Sequence, residues 1–328
     1  MDDVVLLAEK KSRVWEFAEK IRDYVCQNKE MKIPLCEVEI KKFRNGELGV
    51  YIPENMRKRH VFFVQDSSKD PSDWWVELLL VRDLLLSSSA ESLTFVLPNM
   101  LYSRQDRKDK PHVPISARAV SRSISGGIKR IITMDLHAGQ IQGFYPENVP
   151  VDNLYSFPEF VRYLRKVHFE DLNNLVVVAP DAGAAGRTKA FLGKLEKAQE
   201  DSPLKQEYSF ALLSKERSKP GEVGSMQLIG DVKGKNCLIV DDIIDSGGTL
   251  CSAAKLLKSQ GAEKLMCYGT HGIFTNGTME LKQNFDVVMT SNTYPQDENG
   301  VEVIDVTPLF AEAIFRAHAG LSISRLFE

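Results

Sequence analysis

Short runs of apolar and β-branched residues recur along this chain, and stretches with helical periodicity separate them. The runs are VFFVQ (61–65), LTFVLP (93–98), RIITMDL (130–136), LVVVAPD (175–181), CLIVDD (237–242), LMCYGTH (265–271) and DVVMTS (286–291). Runs of this length and composition are typical of strands that are buried on both faces. Helical patterns cover residues 73–87, 115–124, 187–197, 249–260 and 308–317. The alternation predicts an α/β fold with mostly parallel sheets flanked by helices.

The length of the chain sets how many such sheets we expect. With 328 residues, of which 43% are hydrophobic and 27% charged, the chain is a globular protein with room for about two domains. The stretch NVPVDNLYSFPEF (148–160) contains two prolines and an asparagine-rich turn, which is typical of a crossing between domains. We therefore expect an N-terminal domain of residues 1–153, joined by the tail 318–328, and a C-terminal domain of residues 154–317.

Charge and hydropathy argue against two classes of partner. The formal net charge is −3 and the 42 basic residues are spread along the chain, so no basic footprint for a nucleic-acid backbone is present. The most apolar stretch, 74–86, is interrupted by Glu77, Arg82 and Asp83 and is shorter than the ~20 apolar residues that cross a bilayer. It predicts a buried helix, and we expect neither nucleic acid nor membrane as a partner.

The N-terminus and the cysteines indicate the compartment. The opening MDDVVLLAEKK is acidic and lacks the basic region and apolar core of a signal peptide. No Cys-x-x-Cys pair occurs, which argues against a zinc site or a disulfide framework. We therefore expect a cytoplasmic protein whose cysteines are reduced core residues. They are Cys26, Cys36, Cys237, Cys251 and Cys267.

The segment CLIVDDIIDSGGT (237–249) carries the strongest chemical signal. An apolar strand leads into acids and a glycine-rich turn, and a helical pattern follows; ligands of open α/β sheets bind at such strand ends. The glycines let backbone N–H groups approach a phosphate, and the hydroxyls lie where a helix begins. The acids suit ribose hydroxyls or a bound Mg²⁺. The candidate residues are Asp241, Asp242, Asp245, Ser246, Gly247, Gly248 and Thr249.

The same segment resembles the phosphoribosyl-diphosphate motif that phosphoribosyltransferases and ribose-phosphate pyrophosphokinases share. From about Ile40 to Phe327 the chain is similar to the ribose-phosphate pyrophosphokinase family. The resemblance implies two similar domains of the type I phosphoribosyltransferase kind. It also implies transfer of the β,γ-diphosphoryl group of ATP to the C1 hydroxyl of ribose 5-phosphate, which gives 5-phosphoribosyl 1-diphosphate and AMP.

Two further segments look like the ATP-binding parts of that family. FRNGE (43–47) is similar to its adenine-binding turn, and YSRQDRKDKPHVPISAR (102–118) is similar to its ATP-contacting loop. An arginine in such a loop can donate two parallel hydrogen bonds to a polyphosphate. The residues that the resemblance implies are Phe43, Asn45 and Glu47 in the turn, Arg104, Gln105 and Asp109 in the loop, and His137 further on.

Metal binding is expected at the ends of two strands. MDLHAGQIQGFYPENVPVDNL (134–154) places Asp135 and His137 where a histidine beside a carboxylate can reach a metal or a phosphate. The resemblance implies that His137 helps to hold Mg²⁺-ATP and that Asp181, in APDAGAAGR (179–187), supplies a second carboxylate. Mg²⁺ is the expected cofactor because it takes one or two carboxylates plus substrate phosphates.

The polar segment SKERSKPGEVGSM (214–226) is predicted to be an exposed, mobile loop. Its Lys215 and Arg217 are similar to the Lys-x-Arg pair on the catalytic lid of the family. Cations on a mobile segment suit phosphoryl transfer, which needs charge stabilisation and exclusion of water. We expect both residues to be catalytic.

Two alternative functions stay open at this point. A phosphoribosyltransferase would share residues 237–249 but would have no reason to retain the ATP segments. A non-catalytic subunit related to the family would have no need of His137, Asp181, Lys215 and Arg217, although the stretch 194–207 is longer than in typical catalytic members.

Assembly and regulation are also matters of resemblance. Members of the family assemble from dimers into hexamers or tetramers, so a homo-oligomer is implied. Lys58 stands where the family usually has glycine, Ser92 where a basic residue is common, and SDWWVEL (72–78) departs from the usual segment. Phosphate activation and ADP inhibition are therefore not carried over.

Overall fold

The structure is a computed structural model that describes residues 3–29, 31–200, 205–215, 226–297 and 300–327. The chain divides into two compact units. The first comprises Met1–Tyr155, Thr293–Pro295 and Val306–Glu328, and the second comprises Ser156–Asn292 and Gln296–Asp305. No helix among the described residues is long and apolar enough to cross a membrane.

In its described part, the first unit is built on a sheet of six parallel strands. The strands are β1 (Val4–Ala8), β2 (Leu35–Glu37), β5 (His60–Val64), β6 (Ser92–Leu97), β7 (Arg130–Met134) and β8 (Val151–Leu154), and a separate hairpin consists of β3 (Glu39–Lys42) and β4 (Leu48–Tyr51). Their order across the sheet is β2-β1-β5-β6-β7-β8. The helices are α1 (Trp15–Asn28), α2 (Pro71–Ser87), α3 (Ser116–Ile124) and α8 (Thr307–Ala319).

Helix α2 is the apolar stretch that the sequence predicts to be a buried helix, and this prediction is confirmed. The Asp70 side chain accepts the N–H of Ser72, and Pro71 lies in the first turn, where its missing N–H costs no hydrogen bond. Trp74, Leu78, Val81 and Leu85 are buried against the sheet. The helix therefore owes its apolar character to a protein core.

Lys58 lies in a turn whose backbone favours glycine. Its φ of 57° falls in the left-handed region, which glycine adopts without strain and other residues adopt at a cost of about 1–2 kcal/mol. The turn is held by the N–H of Lys58, which donates to the Ser89 carbonyl at 2.9 Å.

The described part of the second unit contains a sheet of seven strands. They are β9 (Leu175–Ala179), β10 (Tyr208–Lys215), β11 (Met226–Ile229), β12 (Asn236–Ile244), β13 (Leu265–Gly272), β14 (Val287–Ser291) and β15 (Glu302–Ile304). Their order is β11-β10-β9-β12-β13-β14-β15, and every pairing is parallel except that of β10 with β11. The helices are α4 (Phe157–Val167), α5 (Ala185–Lys197), α6 (Gly248–Ser259) and α7 (Met279–Asn284).

Successive side chains of β12 and β13 alternate between two cores, because strand side chains point to opposite faces. On one face Cys237 and Ile239 pack with residues of α6 and α7. On the other face the Tyr268 ring stacks on Phe160 of α4, with 3.7 Å between the centroids. Both faces of the sheet are thus covered by helices, as the continuous apolar runs predicted.

The α/β prediction, with one mostly parallel sheet in each of two domains, is confirmed. The compact units divide the chain after Tyr155, inside the predicted crossing, but they group residues 306–317 with the first unit, whereas we expected them in the C-terminal domain. Helix α8 packs on α1, where the rings of Phe17 and Phe310 lie 5.3 Å apart. An amphipathic pattern shows that a helix covers a core, and does not show which core.

The cysteines meet the expectation in part. All five lie within the described ranges and are free thiols. Cys237, Cys251 and Cys267 are buried in the core of the second unit, and Cys36 is partly buried in the first. Cys26 was expected in a core and is exposed on α1, because it lies on the side of the helix away from Ile21 and Val25.

Candidate active site

The turn between β12 and α6 forms the predicted sugar-phosphate segment. Gly247 has a φ of 77°, and a Cβ atom there would lie 3.1 Å from side-chain carbons of Leu281. Both the backbone and the available space therefore favour glycine at this position. Helix α6 begins at the next residue, and the first N–H groups of a helix have no carbonyl of their own helix to bond to. Such a helix start favours an anionic group.

Asp241 and Asp242 lie at the carboxyl end of β12 and differ in exposure. The Asp242 side chain is 6% exposed and forms an ion pair with the Arg187 guanidinium. The Asp241 side chain is 27% exposed, and its Oδ1 lies 3.9 Å from Nη1 of Arg187. The same Oδ1 accepts the N–H of Asp242 at 2.9 Å. Arg187 belongs to the first turn of α5, so this helix supplies the cation that the two acids share.

Burial and the neighbouring charge affect the protonation of Asp241. Burial, followed by the nearby Asp242 carboxylate, raises the pKa of Asp241 above its ordinary value. The Arg187 cation acts in the opposite direction and lowers that pKa. The backbone N–H of Asp242 lowers the pKa too, so this hydrogen bond and Arg187 both favour the ionised form of Asp241, which accepts hydrogen bonds on both oxygens.

The remaining residues of the segment follow in one continuous turn. The Thr275 hydroxyl donates to Oδ1 of Asp245 at 2.8 Å, and Thr275 lies just after the neighbouring strand β13. Ser246 and Thr249 are exposed on either side of the glycines. The structure thus brings all the predicted ribose-phosphate residues together on residues 241–249.

Asp181 lies at the same edge of the sheet, because β9 runs parallel to β12 as its direct neighbour. It is exposed, and its Oδ1 accepts the N–H of Ala184 at 3.0 Å, just before α5 begins. A carboxylate at a helix start is stabilised by the helix dipole and keeps its other lone pairs for further partners.

In the first unit, the predicted adenine turn is the tip of the β3–β4 hairpin. The N–H of Phe43 donates to the Glu47 carbonyl at 2.8 Å, and the Asn45 side chain accepts the N–H of Glu47 at 3.3 Å. The Phe43 side chain is 47% exposed. Its ring lies over Gly49, where a Cβ atom would be 2.9 Å from ring carbon Cε2. The hairpin therefore leaves about half of the aromatic side chain exposed and accommodates its ring beside a glycine.

The predicted ATP loop leads into α3. Arg104, Gln105 and Asp109 are exposed. The Ser116 hydroxyl donates to Oε1 of Gln105 at 2.5 Å, and the N–H of Ala117 donates to the Gln105 carbonyl at 3.2 Å. Gln105 thus ties the loop to the start of the helix, a role that the sequence did not indicate.

The predicted metal residues of the first unit follow strand β7. Asp135 is buried and has a left-handed φ of 40°, and its N–H donates to the Leu154 carbonyl at 2.8 Å. The next residue is held by Asn153, whose Oδ1 accepts the N–H of Leu136 at 3.0 Å. His137 is exposed. The strained backbone turns the chain so that His137, rather than Asp135, faces solvent.

The donors present fit Mg²⁺ unequally. Within the described ranges, no group of three or more His, Cys, Asp and Glu side chains lies close enough to hold a metal ion. Mg²⁺ usually keeps several waters and binds through one or two carboxylates plus substrate phosphates, so it does not need such a group. The exposed Asp181 carboxylate suits this role, whereas the burial of Asp135 suits it less.

The expected catalytic pair, Lys215 and Arg217, falls at the edge of the described residues. Lys215 is the last residue of β10, and nothing is described of its side chain. Arg217 and the rest of the predicted mobile loop, 216–225, lie outside the described residues. Their catalytic role stays a prediction.

Sequence reasoning missed Arg187 and Thr275, which hold the acids of the turn. Arg187 ends the segment APDAGAAGR (179–187), yet a single arginine after a glycine-rich turn carries no signal of its own. Each residue is recognisable only through the carboxylate that it contacts in space.

Comparisons with known proteins agree with the geometry. A family model described as the N-terminal domain of ribose phosphate pyrophosphokinase matches residues 6–126, and one described as a phosphoribosyl synthetase-associated domain matches residues 196–328. Ribose-phosphate pyrophosphokinase 4 of Saccharomyces cerevisiae is 40% identical over 92% of this chain and 90% of its own length. The ribose-phosphate pyrophosphokinase of Agrobacterium fabrum is 40% identical over 92% of this chain and 94% of its own.

A solved structure shows the same fold. The crystal structure of phosphoribosylpyrophosphate synthetase from Mycobacterium smegmatis superposes with a TM-score of 0.82 at 28% identity, and the match covers 97% of this chain and 100% of that chain. The resemblance inferred from the sequence motifs is confirmed by these matches, which extend over both units. The chain belongs to the ribose-phosphate pyrophosphokinase family.

Proposed function

We propose that this chain is a ribose-phosphate diphosphokinase. It transfers the β,γ-diphosphoryl group of ATP to the C1 hydroxyl of ribose 5-phosphate and forms 5-phosphoribosyl 1-diphosphate and AMP. The observation that carries the proposal is the turn 241–249, where carboxylates precede a glycine-rich helix start on one continuous segment. Relatives at 40% identity that are named for this reaction support it.

The acceptor is held by the turn of the second unit. The 5-phosphate binds at the start of α6, where Ser246 and Thr249 supply hydroxyl donors beside the glycine N–H groups. The ribose hydroxyls donate to Asp241 and Asp242, which are charged acceptors and therefore form stronger hydrogen bonds than neutral ones. This leaves the C1 hydroxyl as the free end of the acceptor.

The donor is bound by the segments of the first unit. The exposed Phe43 ring stacks on adenine, while Asn45 and Glu47 hydrogen-bond to the base and ribose of ATP. Arg104 donates to the polyphosphate, and Gln105 fixes the loop that carries it. His137, Asp181 and Asp135 are the residues that would hold Mg²⁺-ATP; the bound ion would neutralise phosphate charge.

The chemical step needs no covalent intermediate with the protein. The C1 hydroxyl of ribose 5-phosphate attacks the β-phosphorus in line, and the bond from that phosphorus to the α,β-bridging oxygen breaks, so that AMP leaves. Lys215 and Arg217 stabilise the charge on the transferring group, and positioning of both substrates supplies much of the rest. We further propose a cytoplasmic homo-oligomer built from dimers; the free thiols fit a reducing compartment.

The test is a reaction of the purified chain with Mg²⁺, ATP and ribose 5-phosphate, followed by ³¹P NMR. We expect AMP and 5-phosphoribosyl 1-diphosphate in equal amounts. Lys215→Ala, purified in the same way, should lose most of kcat and thereby excludes a contaminating enzyme, whereas Lys205→Ala, an exposed lysine before the same strand, should retain it.

Other outcomes of the same assay would contradict the proposed function. Formation of ADP, or no turnover, contradicts a diphosphokinase. Release of diphosphate from 5-phosphoribosyl 1-diphosphate in the presence of a nucleobase would instead support a phosphoribosyltransferase. Binding of ribose 5-phosphate without any turnover would support the non-catalytic subunit.

A further inference from the structure

Arg187 occupies an unfavourable place for a cation. It lies in the first turn of α5, where the helix dipole presents partial positive charge. Its side chain is only 19% exposed, so solvent cannot fully compensate. The carboxylates of Asp242 and Asp241 at the end of β12 are the counter-charges. A cation in this position is explained by the acids rather than by the helix that carries it.

The acids depend on this cation as much as it depends on them. The Asp242 carboxylate is 6% exposed, and a buried carboxylate without a cation takes up a proton or moves toward water. A guanidinium is planar and carries several N–H donors, so it can hydrogen-bond to two neighbouring carboxylates. An ammonium acts as a point charge. The Asp241 carboxylate is further oriented by the N–H of Asp242.

We propose that Arg187 is a positioning residue for ribose 5-phosphate. It fixes Asp241 and Asp242 as an ionised, oriented pair of acceptors for the ribose hydroxyls. The proposal rests on the proposed function, whose acceptor site it deepens. Arg187 acts through the two carboxylates and is not itself catalytic.

The other acid of the turn provides a contrast. Asp245 is supported by the Thr275 hydroxyl at 2.8 Å, a neutral donor on the segment after β13. The acids of the strand thus contact a cation, and the acid of the loop accepts a hydrogen bond from a neutral hydroxyl. Loss of Arg187 should affect the strand acids and leave the support of Asp245 in place.

The experiment uses the full chain with Mg²⁺ and compares Arg187→Met, Arg187→Gln and Arg187→Lys with Arg162→Met. Arg162 is an exposed arginine on α4 that pairs with Glu159, so it is a matched control. Calorimetry gives the Kd of ribose 5-phosphate without ATP, and steady-state kinetics gives kcat and each KM. The midpoint of thermal unfolding is measured for every variant.

Arg187→Met and Arg187→Gln should weaken ribose 5-phosphate binding by about tenfold or more, because the carboxylates lose their cation. The KM for ATP should stay within about twofold, since the adenine turn and the ATP loop belong to the first compact unit and Arg187 to the second. Arg187→Lys should recover part of the binding, and Arg162→Met should match the wild type. The acid limb of the pH dependence of binding should also move to higher pH without Arg187, which lowers the pKa of Asp241 beside Asp242.

Three results would overturn the role of Arg187. The first is an unchanged Kd of ribose 5-phosphate in both Arg187→Met and Arg187→Gln, and the second is an absence of ribose 5-phosphate binding by the wild type. The third is an equal loss of affinity for ATP and ribose 5-phosphate together with a lower midpoint of thermal unfolding. If Arg187→Met does not fold, Arg187→Gln, which keeps a polar side chain, decides the matter. A wild type that binds ribose 5-phosphate but makes no AMP would refute the proposed function, and the binding data would still test Arg187.

Discussion

At the residue scale, the acid Glu77 illustrates what burial does to a charge. Its side chain on α2 is 1% exposed and faces the Lys69 ammonium, which also lies 2.5 Å from Oε2 of Glu9. Oε1 of Glu77 has no hydrogen-bond partner among the described residues. Burial raises the pKa of Glu77 to about 7 against the opposing effect of Lys69. Burial lowers the pKa of Lys69, but the carboxylates of Glu77 and Glu9 outweigh it and raise that pKa above its ordinary value.

We expect Glu77→Gln to remove a pH dependence of stability. The folded pKa of Glu77 lies above its unfolded value, so its contribution is fully present below about pH 4.5 and is lost as pH rises through about 7. Relative to the glutamine variant, the wild type should lose about 3 kcal/mol of stability across that interval. Urea unfolding at pH 5 and pH 8 measures the difference.

Glu16→Gln is the matched control, because Glu16 is 77% exposed on α1. Its stability relative to the wild type should change little between the two pH values. If the difference between the wild type and Glu77→Gln is the same at pH 5 and pH 8, the Glu77 carboxyl does not titrate in this range.

Individual contacts were the hardest feature to obtain from the sequence. The acids of the 241–249 segment stand out because acids and glycines follow an apolar strand. Arg187, the cation that pairs with these acids, lies 55 positions before Asp242 in the sequence. The two meet only because of the orientation in which α5 packs on the sheet. Such a register depends on packing of whole side chains, which no local pattern encodes.

At the scale of elements, the β3–β4 hairpin holds the Phe43 ring in one position. Gly49 leaves room for the Phe43 side chain, and the Lys41 ammonium lies 5.4 Å from the centre of that ring. The hairpin is also tied to α2, because the Lys42 ammonium contacts the Asp73 carboxylate at 2.6 Å. The position of the ring is therefore set by the hairpin and by the helix beside it.

Gly49→Ala should displace the Phe43 ring, because the new Cβ would lie 2.9 Å from a ring carbon. We expect the KM for ATP to rise about threefold to tenfold, because the displaced ring would lose part of its stacking contact with adenine. The KM for ribose 5-phosphate should stay unchanged. Gly193→Ala is the control, since nothing lies within 4 Å of its added Cβ on α5. An unchanged KM for ATP would remove Phe43 from the adenine site.

Elements with a long, uninterrupted pattern were predicted correctly, and those with a weak or truncated pattern were missed. β1 is fully buried, but it is a run of only five residues. Helix α1 has no side-chain cap at its start. Pro158 in the first turn of α4 was interpreted as part of a crossing, although proline is also favoured there. β15 has only three residues.

At the scale of the whole molecule, the second unit is inserted into the chain of the first, and each has its own core. Two compact units of this kind can open separately. The buried thiols Cys237, Cys251 and Cys267 belong to the core of the second unit, and burial raises the pKa of each. Cys26 is exposed on α1 of the first unit.

Thiol labelling should therefore resolve the opening of the second unit. Cys26 should react at once, and the three buried thiols should react only when their core opens, because they are neutral and inaccessible in the folded state. Ribose 5-phosphate at about 100 times its Kd should slow the second phase by about 100-fold and leave the first unchanged. Mass spectrometry of labelled peptides measures both phases. Equal rates for all five cysteines, or no effect of ribose 5-phosphate, would contradict this assignment of its site.

The packing of α8 on α1 has a consequence for the order in which the chain becomes structured during synthesis. Phe17 is synthesised first, and its neighbour Phe310 follows almost 300 residues later. The ion pair between Lys29 and Glu312 likewise forms only after Glu312 has been synthesised. Proteins emerge from the ribosome from the N-terminus at about 5–20 residues per second. The unit that is begun first is therefore completed last, and the nascent chain exposes one apolar face of α1 while the entire second unit is being made.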